Sequence, residues 1–229
     1  MITIRRSHER GPTRLGWLNS MHTFSFGSYY DPEHMGVSVL RVINDDRVIP
    51  GAGFATHSHR DMEIISYVKR GTIEHKDSMG NIKSLPAGEF QLMSAGTGVT
   101  HSEYNPSDSE PLEFLQIWIV PDEPGIEPRY QQKRFADQSG LQLIASPDGR
   151  DGSLLIYQQA ELWQLKLDKN EQTSHTLSPG RTVYVHVIAG SLSIGGEQLQ
   201  AGDGAILNDM REISYQAGSK TEALVFDLP

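Results

Sequence analysis

The chain has 229 residues, enough for one large domain or two small ones. Lys and Arg total 20 against 29 Asp and Glu, a formal net charge of −9, which argues against the basic face that nucleic acid needs. Cysteine is absent, so a disulfide framework, a thiolate nucleophile and a Cys-bound metal are all excluded. Met1–His8 carries charge without an apolar stretch behind it, and no run of about 18 apolar residues occurs. Neither a secretory leader nor a membrane partner is expected, and the expected location is cytoplasmic.

Strand signals dominate from end to end. Arg5, Arg6, Arg10 and Arg14 read as a mildly basic, solvated arm. Trp17, Phe24, Phe26, Tyr29 and Tyr30 follow; they could line a pocket, and core packing is the expectation for most of them. Helical periodicity is weak, with short turns at Asp31–Met35 and Arg129–Phe135 as the best candidates. Leu112 to Val120 is apolar on both faces and ends at Pro121, the pattern of a strand buried on two sides. Trp163, Leu165 and Leu167 alternate on one face, Val183, Val185 and Val187 repeat the pattern, and Glu222–Leu228 reads as a last strand. With 22 Gly and 12 Pro between such runs, the expected class is all-β, sandwich or barrel.

An internal repeat is visible. Val68-Lys-Arg-Gly-Thr-Ile73 followed by Leu85-Pro-Ala-Gly-Glu89 matches Val187-Ile-Ala-Gly-Ser-Leu192 followed by Leu199-Gln-Ala-Gly-Asp203. Gly71 thus aligns with Gly190 and Gly88 with Gly202, and the length difference falls in the loop Asp77–Asn81. Two tandem β domains are expected, residues 1–125 and 126–229, with the change between them inside the Pro- and Gly-rich segment Pro121–Gly140.

Among nine histidines one group has ligand spacing: His57-Ser-His59 and His101-Ser-Glu103. Side chains at i and i+2 of a strand share a face, so each pair presents two ligands to one cavity. Three imidazoles with a carboxylate suit iron, manganese, cobalt, nickel, copper or zinc rather than calcium or magnesium. Glu63 competes for the carboxylate place if the strand after His59 runs unbroken. In the second copy His57 and His59 map near Thr176 and Ser178, and His101 and Glu103 near Tyr215 and Ala217, so no ligand set is expected there. His175 and His186 read as surface or satisfied core residues.

These segments carry a resemblance. Gly51, His57, His59 and Glu63 resemble the first cupin motif, and Gly98-Val-Thr-His101-Ser-Glu-Tyr-Asn105 the second. Two departures stand out: the Glu63-to-Gly71 spacing is one residue long, and Gly96 stands where the pattern usually has Pro. More specifically, His57–Glu63, Val68–Gly80, Met93–Glu103 and Ser146–Leu154 resemble the pirin family, and its bacterial members in particular. That resemblance implies a bicupin, with a metal-binding N-terminal domain and a degenerate C-terminal one. It implies one divalent metal, usually iron as Fe(II), held by His57, His59, His101 and Glu103, with Glu63 supporting the site rather than binding the ion.

The resemblance also implies a function. Bacterial pirins of this type resemble quercetin 2,3-dioxygenases, which open flavonols with dioxygen and release carbon monoxide. Glu103 would take the proton of the flavonol 3-hydroxyl, and Phe54 is placed beside the metal. The family also contains a nuclear regulator of transcription, so a non-enzymatic, redox-sensing role through a protein partner is the alternative. A sugar isomerase or epimerase is a third reading, for which Lys69, Arg70 and Lys76 offer no clear cluster.

Overall fold

The computed structural model describes residues 1–229 throughout. The chain is all-β, its helical content confined to two short 3₁₀ turns, Ser7–Glu9 and Arg150–Gly152. No helix is long and apolar enough to cross a membrane. The helical turns expected at Asp31–Met35 and Arg129–Phe135 do not form. The first is an irregular loop, and Arg129–Arg134 is an edge strand paired with Glu89–Ser94. Its polar residues are used across that edge: Gln132 Nε2 donates to Glu89 Oε2 at 2.7 Å and to the Ser84 carbonyl at 2.9 Å.

Two compact units result. The first comprises Gly11–Phe135 with Ile156–Gln158, and the second Met1–Arg10, Ala136–Leu155 and Gln159–Pro229. The change of unit at Phe135 lies inside the expected Pro121–Gly140 segment but later than residue 125, because Arg129–Arg134 completes a sheet of the first unit. The N-terminus also differs from expectation. Ile2–Arg5 pairs with Gly204–Leu207 and so belongs to the second unit. Arg5 and Arg10 are buried there rather than solvated.

Each unit has a seven-stranded and a four-stranded antiparallel-rich sheet. In the first unit the larger sheet runs Arg129–Arg134, Glu89–Ser94, Glu63–Arg70, Leu112–Ile119, Leu40–Val48, Leu18–His22, Gly11–Arg14. The smaller runs Gly53–His59, Val99–Tyr104, Thr72–Asp77, Ile82–Pro86. Leu112–Ile119 is paired on both sides, as its two apolar faces require. Val68, Leu112 and Phe114 from the larger sheet pack with Ile73 and Leu85 from the smaller, each fully buried side chain stabilising by about 1.5–3 kcal/mol. The second unit repeats the plan, with Leu165, Val185, Val187, Leu192, Tyr215 and Val225 in its core.

The repeat is written in two glycines. Gly71 and Gly190 have φ of 82° and 79°, and each follows a strand close to the carbonyl that precedes another strand of its unit, Leu112–Ile119 in the first and Thr221–Leu228 in the second. A Cβ would meet the Pro111 oxygen at 3.0 Å in the first case and the Lys220 oxygen at 2.2 Å in the second. Left-handed backbone and close approach together demand glycine at both places. The length difference between the copies lies in the hairpin after them, which is Asp77–Asn81 in one and the two-residue Gly195-Gly196 turn in the other.

Asp203 ties the N-terminal segment into the second unit. It accepts hydrogen bonds from the backbone N–H of Ser7 at 2.7 Å and of Gln200 at 3.0 Å, and from the Arg6 guanidinium at 2.9 Å. Burial alone would raise its pKa, but the Gln200 and Ser7 amides and Arg6 outweigh it and hold the group below 3.8. A carboxylate depressed on folding stabilises above its unfolded pKa, and that contribution is lost as pH falls through the folded value. Asp203→Asn is therefore expected to cost about 1–2 kcal/mol in urea unfolding at neutral pH. The gap to wild type should shrink progressively below pH 3.8; a gap that persists undiminished in strong acid would contradict this role.

Candidate metal centre

Strand Gly53–His59 runs antiparallel to Val99–Tyr104, with His57 opposite His101 and His59 opposite Val99. The register slips between His101 and Glu103, so that Glu103 faces Phe54. One extra residue on the Gly53–His59 strand makes this a β-bulge, which bends the strand and re-aims its side chains. Alternation beyond the bulge turns His57 and His59 to one face. A ring nitrogen from each of His57, His59 and His101 lies within 4.8 Å of the others. The Nε2 atoms of His59 and His101 are 3.0 Å apart. His57 Nδ1 donates to the Ala55 carbonyl at 2.8 Å, which leaves its Nε2 lone pair bare.

Glu103 lines the same cavity as His57 and His59. Its carboxylate groups with His101 and His75, not directly with His57 and His59, again within 4.8 Å. Ser66 Oγ donates to Oε1 at 3.1 Å and Gln116 Nε2 to Oε2 at 2.7 Å. His75 joins this group without being among the candidate ligands the sequence offers. It lies on Thr72–Asp77 directly opposite Glu103, fully buried, with Nε2 bonded to Asp77 Oδ2 at 2.9 Å and Nδ1 without a hydrogen-bond partner. The signal was the spacing His75-Lys-Asp77 on a strand opened by Gly71, a same-face pair like the other two.

The electrostatics favour uncharged donors. Burial first, and then the proximity of His57, pushes His59 down to about 4, and burial with the neighbouring histidines pushes His101 to about 2. Both are neutral imidazoles at pH 7. Burial raises the pKa of Glu103, against the opposing pull of His75, Ser66, His57 and Gln116.

Beside these groups opens a cavity of about 320 Å³. His57, His59 and Glu103 line it together with Trp17, Phe26, Phe54 and Trp118. Trp118 meets His59 edge-on at 5.0 Å between centroids, and Phe26 meets Trp118 at 5.3 Å. Phe54 stands edge-on to Trp17 at 5.0 Å. Trp17 and Phe26, from the group expected mostly to be core packing, are therefore cavity walls, whereas Phe24 is buried and Tyr30 is exposed. A larger cavity of about 600 Å³ lies in the second unit near Asp137, Lys166 and Lys220 and contains no histidine.

Glu63 is in neither converging group. The chain turns at Asp61, with φ of 47°, so the strand ending at His59 and the strand beginning at Glu63 belong to different sheets. Glu63 instead accepts from Ser94 Oγ at 2.9 Å and from the Tyr157 amide at 3.3 Å, and burial raises it to about 7.

Strand pairing also corrects the map onto the second copy. Tyr215 pairs with Ile194 as Glu103 pairs with His75, and His175 pairs with Ile213 as His57 pairs with His101. His57 thus corresponds to His175 and His59 to Leu177, each one position before the expected Thr176 and Ser178. His101 and Glu103 correspond to Ile213 and Tyr215. Of the two expectations for His175, surface or core, the structure shows core: it is buried at the position matching His57, with Leu177, Ile213 and Tyr215 at the other matching positions.

Two β units of one plan, with a histidine-rich centre in the first alone, define a bicupin. The family model described as Pirin matches residues 3–119, and the Quercetinase C-terminal cupin domain matches residues 143–228. A protein of Escherichia coli K12 named quercetin 2,3-dioxygenase is 54% identical over 229 residues, covering 100% of this chain and 99% of that one. A Pasteurella multocida protein named putative quercetin 2,3-dioxygenase is 44% identical, with 100% of both chains covered. The crystal structure of the E. coli bacterial pirin YhhW in complex with nickel(II) superposes with a TM-score of 0.98 at 54% identity, covering 100% of this chain and 99% of that one. The chain belongs to the pirin family.

If Glu103 is a donor, the amide that orients it matters. Gln116→Leu removes the shorter of its two hydrogen bonds and should weaken binding of a divalent transition metal by about 10-fold or more. Competition with a chromophoric chelator reads this directly. Unchanged affinity would remove Glu103 from the ligand set.

Proposed function

We propose that the protein is a metal-dependent dioxygenase that opens flavonols such as quercetin with dioxygen and releases carbon monoxide. The observation that carries this reading is the convergence of three imidazoles and a buried carboxylate at the wall of an aromatic-lined cavity. The names of the relatives support the substrate class.

The residues fit a divalent transition ion. Neutral imidazoles with a carboxylate are the donor set such ions prefer. The 3.0 Å between the Nε2 atoms of His59 and His101 suits adjacent ligands on one ion at metal–nitrogen lengths of about 2.1 Å. His57, His59, His101 and Glu103 would hold it. Fe(II) is the ion proposed, and the nickel(II) complex of the related pirin supports a site of this donor type. When bound, the ion supplies Lewis acidity and the redox link between an activated flavonol and dioxygen.

The protein's own groups do the rest. Glu103, made more basic by burial, accepts the proton of the flavonol 3-hydroxyl. Ser66 and Gln116 fix its two oxygens, so the base is oriented before substrate arrives. Trp118, Phe26, Phe54 and Trp17 offer flat apolar walls to a flat aromatic ligand and exclude water from it. No group of three converging donors forms around His175, so one ion per chain is expected.

The test is dioxygen uptake and carbon monoxide release on quercetin by protein loaded separately with iron, nickel, manganese, cobalt, copper or zinc. Metal-dependent consumption with carbon monoxide formed is the expected result. His57→Ala or His101→Ala should empty the site, and His175→Ala should leave metal content unchanged. Glu103→Gln should lower turnover per bound metal by about 100-fold, and Glu63→Gln should leave it within about tenfold. Metal-replete protein that consumes no dioxygen with quercetin would overturn the reading in favour of a regulatory role.

A further inference from the structure

The cavity contains a carboxyl group that the reaction leaves unused. Asp46 lies on strand Leu40–Val48, in register between Ser20 on one neighbour and Phe114 on the other. It is 3% exposed, yet it lines the cavity shared by His57, His59 and Glu103. The Ser20 hydroxyl donates to the carboxylate, while Oδ1 is buried with no partner. The neighbouring polar side chains of this wall are already committed. Asn44 Oδ1 is bonded to His22 Nδ1 at 2.7 Å, and Gln116 Nε2 donates to Glu103 Oε2 at 2.7 Å. Trp118 Nε1, a donor, is the other buried polar atom of the lining without a partner.

A buried acceptor left unpaired forfeits its hydration without return, so such atoms call for an explanation. An apolar residue at this position would fill the wall at no such cost. Salt-bridge pairing does not account for it: Lys69, the nearest cation acting on Asp46, is bonded to Asp45 instead. Resting on the flavonol reading above, we propose that Asp46 is the anchor for a ligand hydroxyl other than the one Glu103 deprotonates, so that the site selects polyhydroxylated aromatics over bare ones. Burial, with the charges of Asp45 and Glu103 nearby, raises the Asp46 carboxyl to about 7. Ionised or neutral, it keeps an oxygen able to accept. Ligand specificity then divides into two parts, the ionisable hydroxyl at Glu103 and a second hydroxyl at Asp46.

The test measures binding in metal-loaded protein without dioxygen, by quenching of tryptophan fluorescence. The probes are quercetin and 3-hydroxyflavone, which keeps the 3-hydroxyl and lacks the others. Wild type should prefer quercetin. Asp46→Ala should weaken quercetin binding by about 10-fold or more and leave 3-hydroxyflavone unchanged, which a merely structural role would not do. Equal weakening of both probes, or no weakening of quercetin, overturns the anchor and leaves the flavonol reading standing. Failure of wild type to bind either probe overturns both. Should Asp46→Ala not fold, Asp46→Leu keeps the volume and removes both acceptor oxygens; it should lower the quercetin preference by about 10-fold, and an undiminished preference overturns the proposal.

Discussion

Three imidazoles whose ring nitrogens lie within 4.8 Å of one another set like charges against each other wherever more than one is protonated, the more so where water is partly excluded. That constraint governs the first unit. Desolvation and mutual repulsion keep His59 and His101 neutral far below their ordinary pKa. His57 gives its Nδ1–H to its own strand and keeps Nε2 free. The result is a cluster of lone pairs facing one another, costly in an empty apolar pocket and useful where a cation is to be held. Glu103 is subject to the same logic from the other side. It is a buried carboxyl that remains tolerable because Ser66 and Gln116 each give it a donor.

The β plan is what makes the crowding achievable. Pairing Gly53–His59 with Val99–Tyr104, and the latter with Thr72–Asp77, sets His57, His101, Glu103 and His75 along one small sheet. The bulge beside Glu103 adjusts their aim. Across from them the larger sheet contributes Ser66, Gln116, Asn44 and Asp46, and the loop before it contributes Phe26. The second unit keeps the same strand pairings and the same left-handed glycines but fills the matching positions with Leu177, Ile213 and Tyr215. One fold thus serves as a reactive shell and as a packed core, and the difference is a handful of inward-facing residues.

Much of this was legible in the sequence because strands have a period of two. His57-Ser-His59 and His101-Ser-Glu103 declare a shared face without any knowledge of tertiary structure. The Gly71/Gly190 and Gly88/Gly202 matches reveal the duplication because each sits at positive φ, where glycine is hard to replace. What could not be read were facts of register. His75 joins the site through pairing with Glu103 on a strand distant in sequence. The one-residue error in mapping His57 onto the second copy has the same origin, since turn lengths align by offset but side chains align by hydrogen-bonded partner. Arg129–Arg134 was mistaken for a helical turn because its strand character comes from its partner Glu89–Ser94, not from its own composition. Asp46 was invisible for a further reason: Asn44, Asp45, Asp46 and Arg47 look like a polar surface run, and burial beneath Ser20 is a tertiary fact.

We propose that His57, His59, His101 and Glu103 hold one ion together, with His75 behind the carboxylate rather than on the metal. X-ray absorption at the metal edge of iron-loaded protein tests it most directly. Scattering from three imidazole rings is expected with the rest of the shell oxygen, three rings retained in His75→Phe, and two in His59→Ala. Four rings in the wild type, or the loss of one on replacing His75, would contradict it.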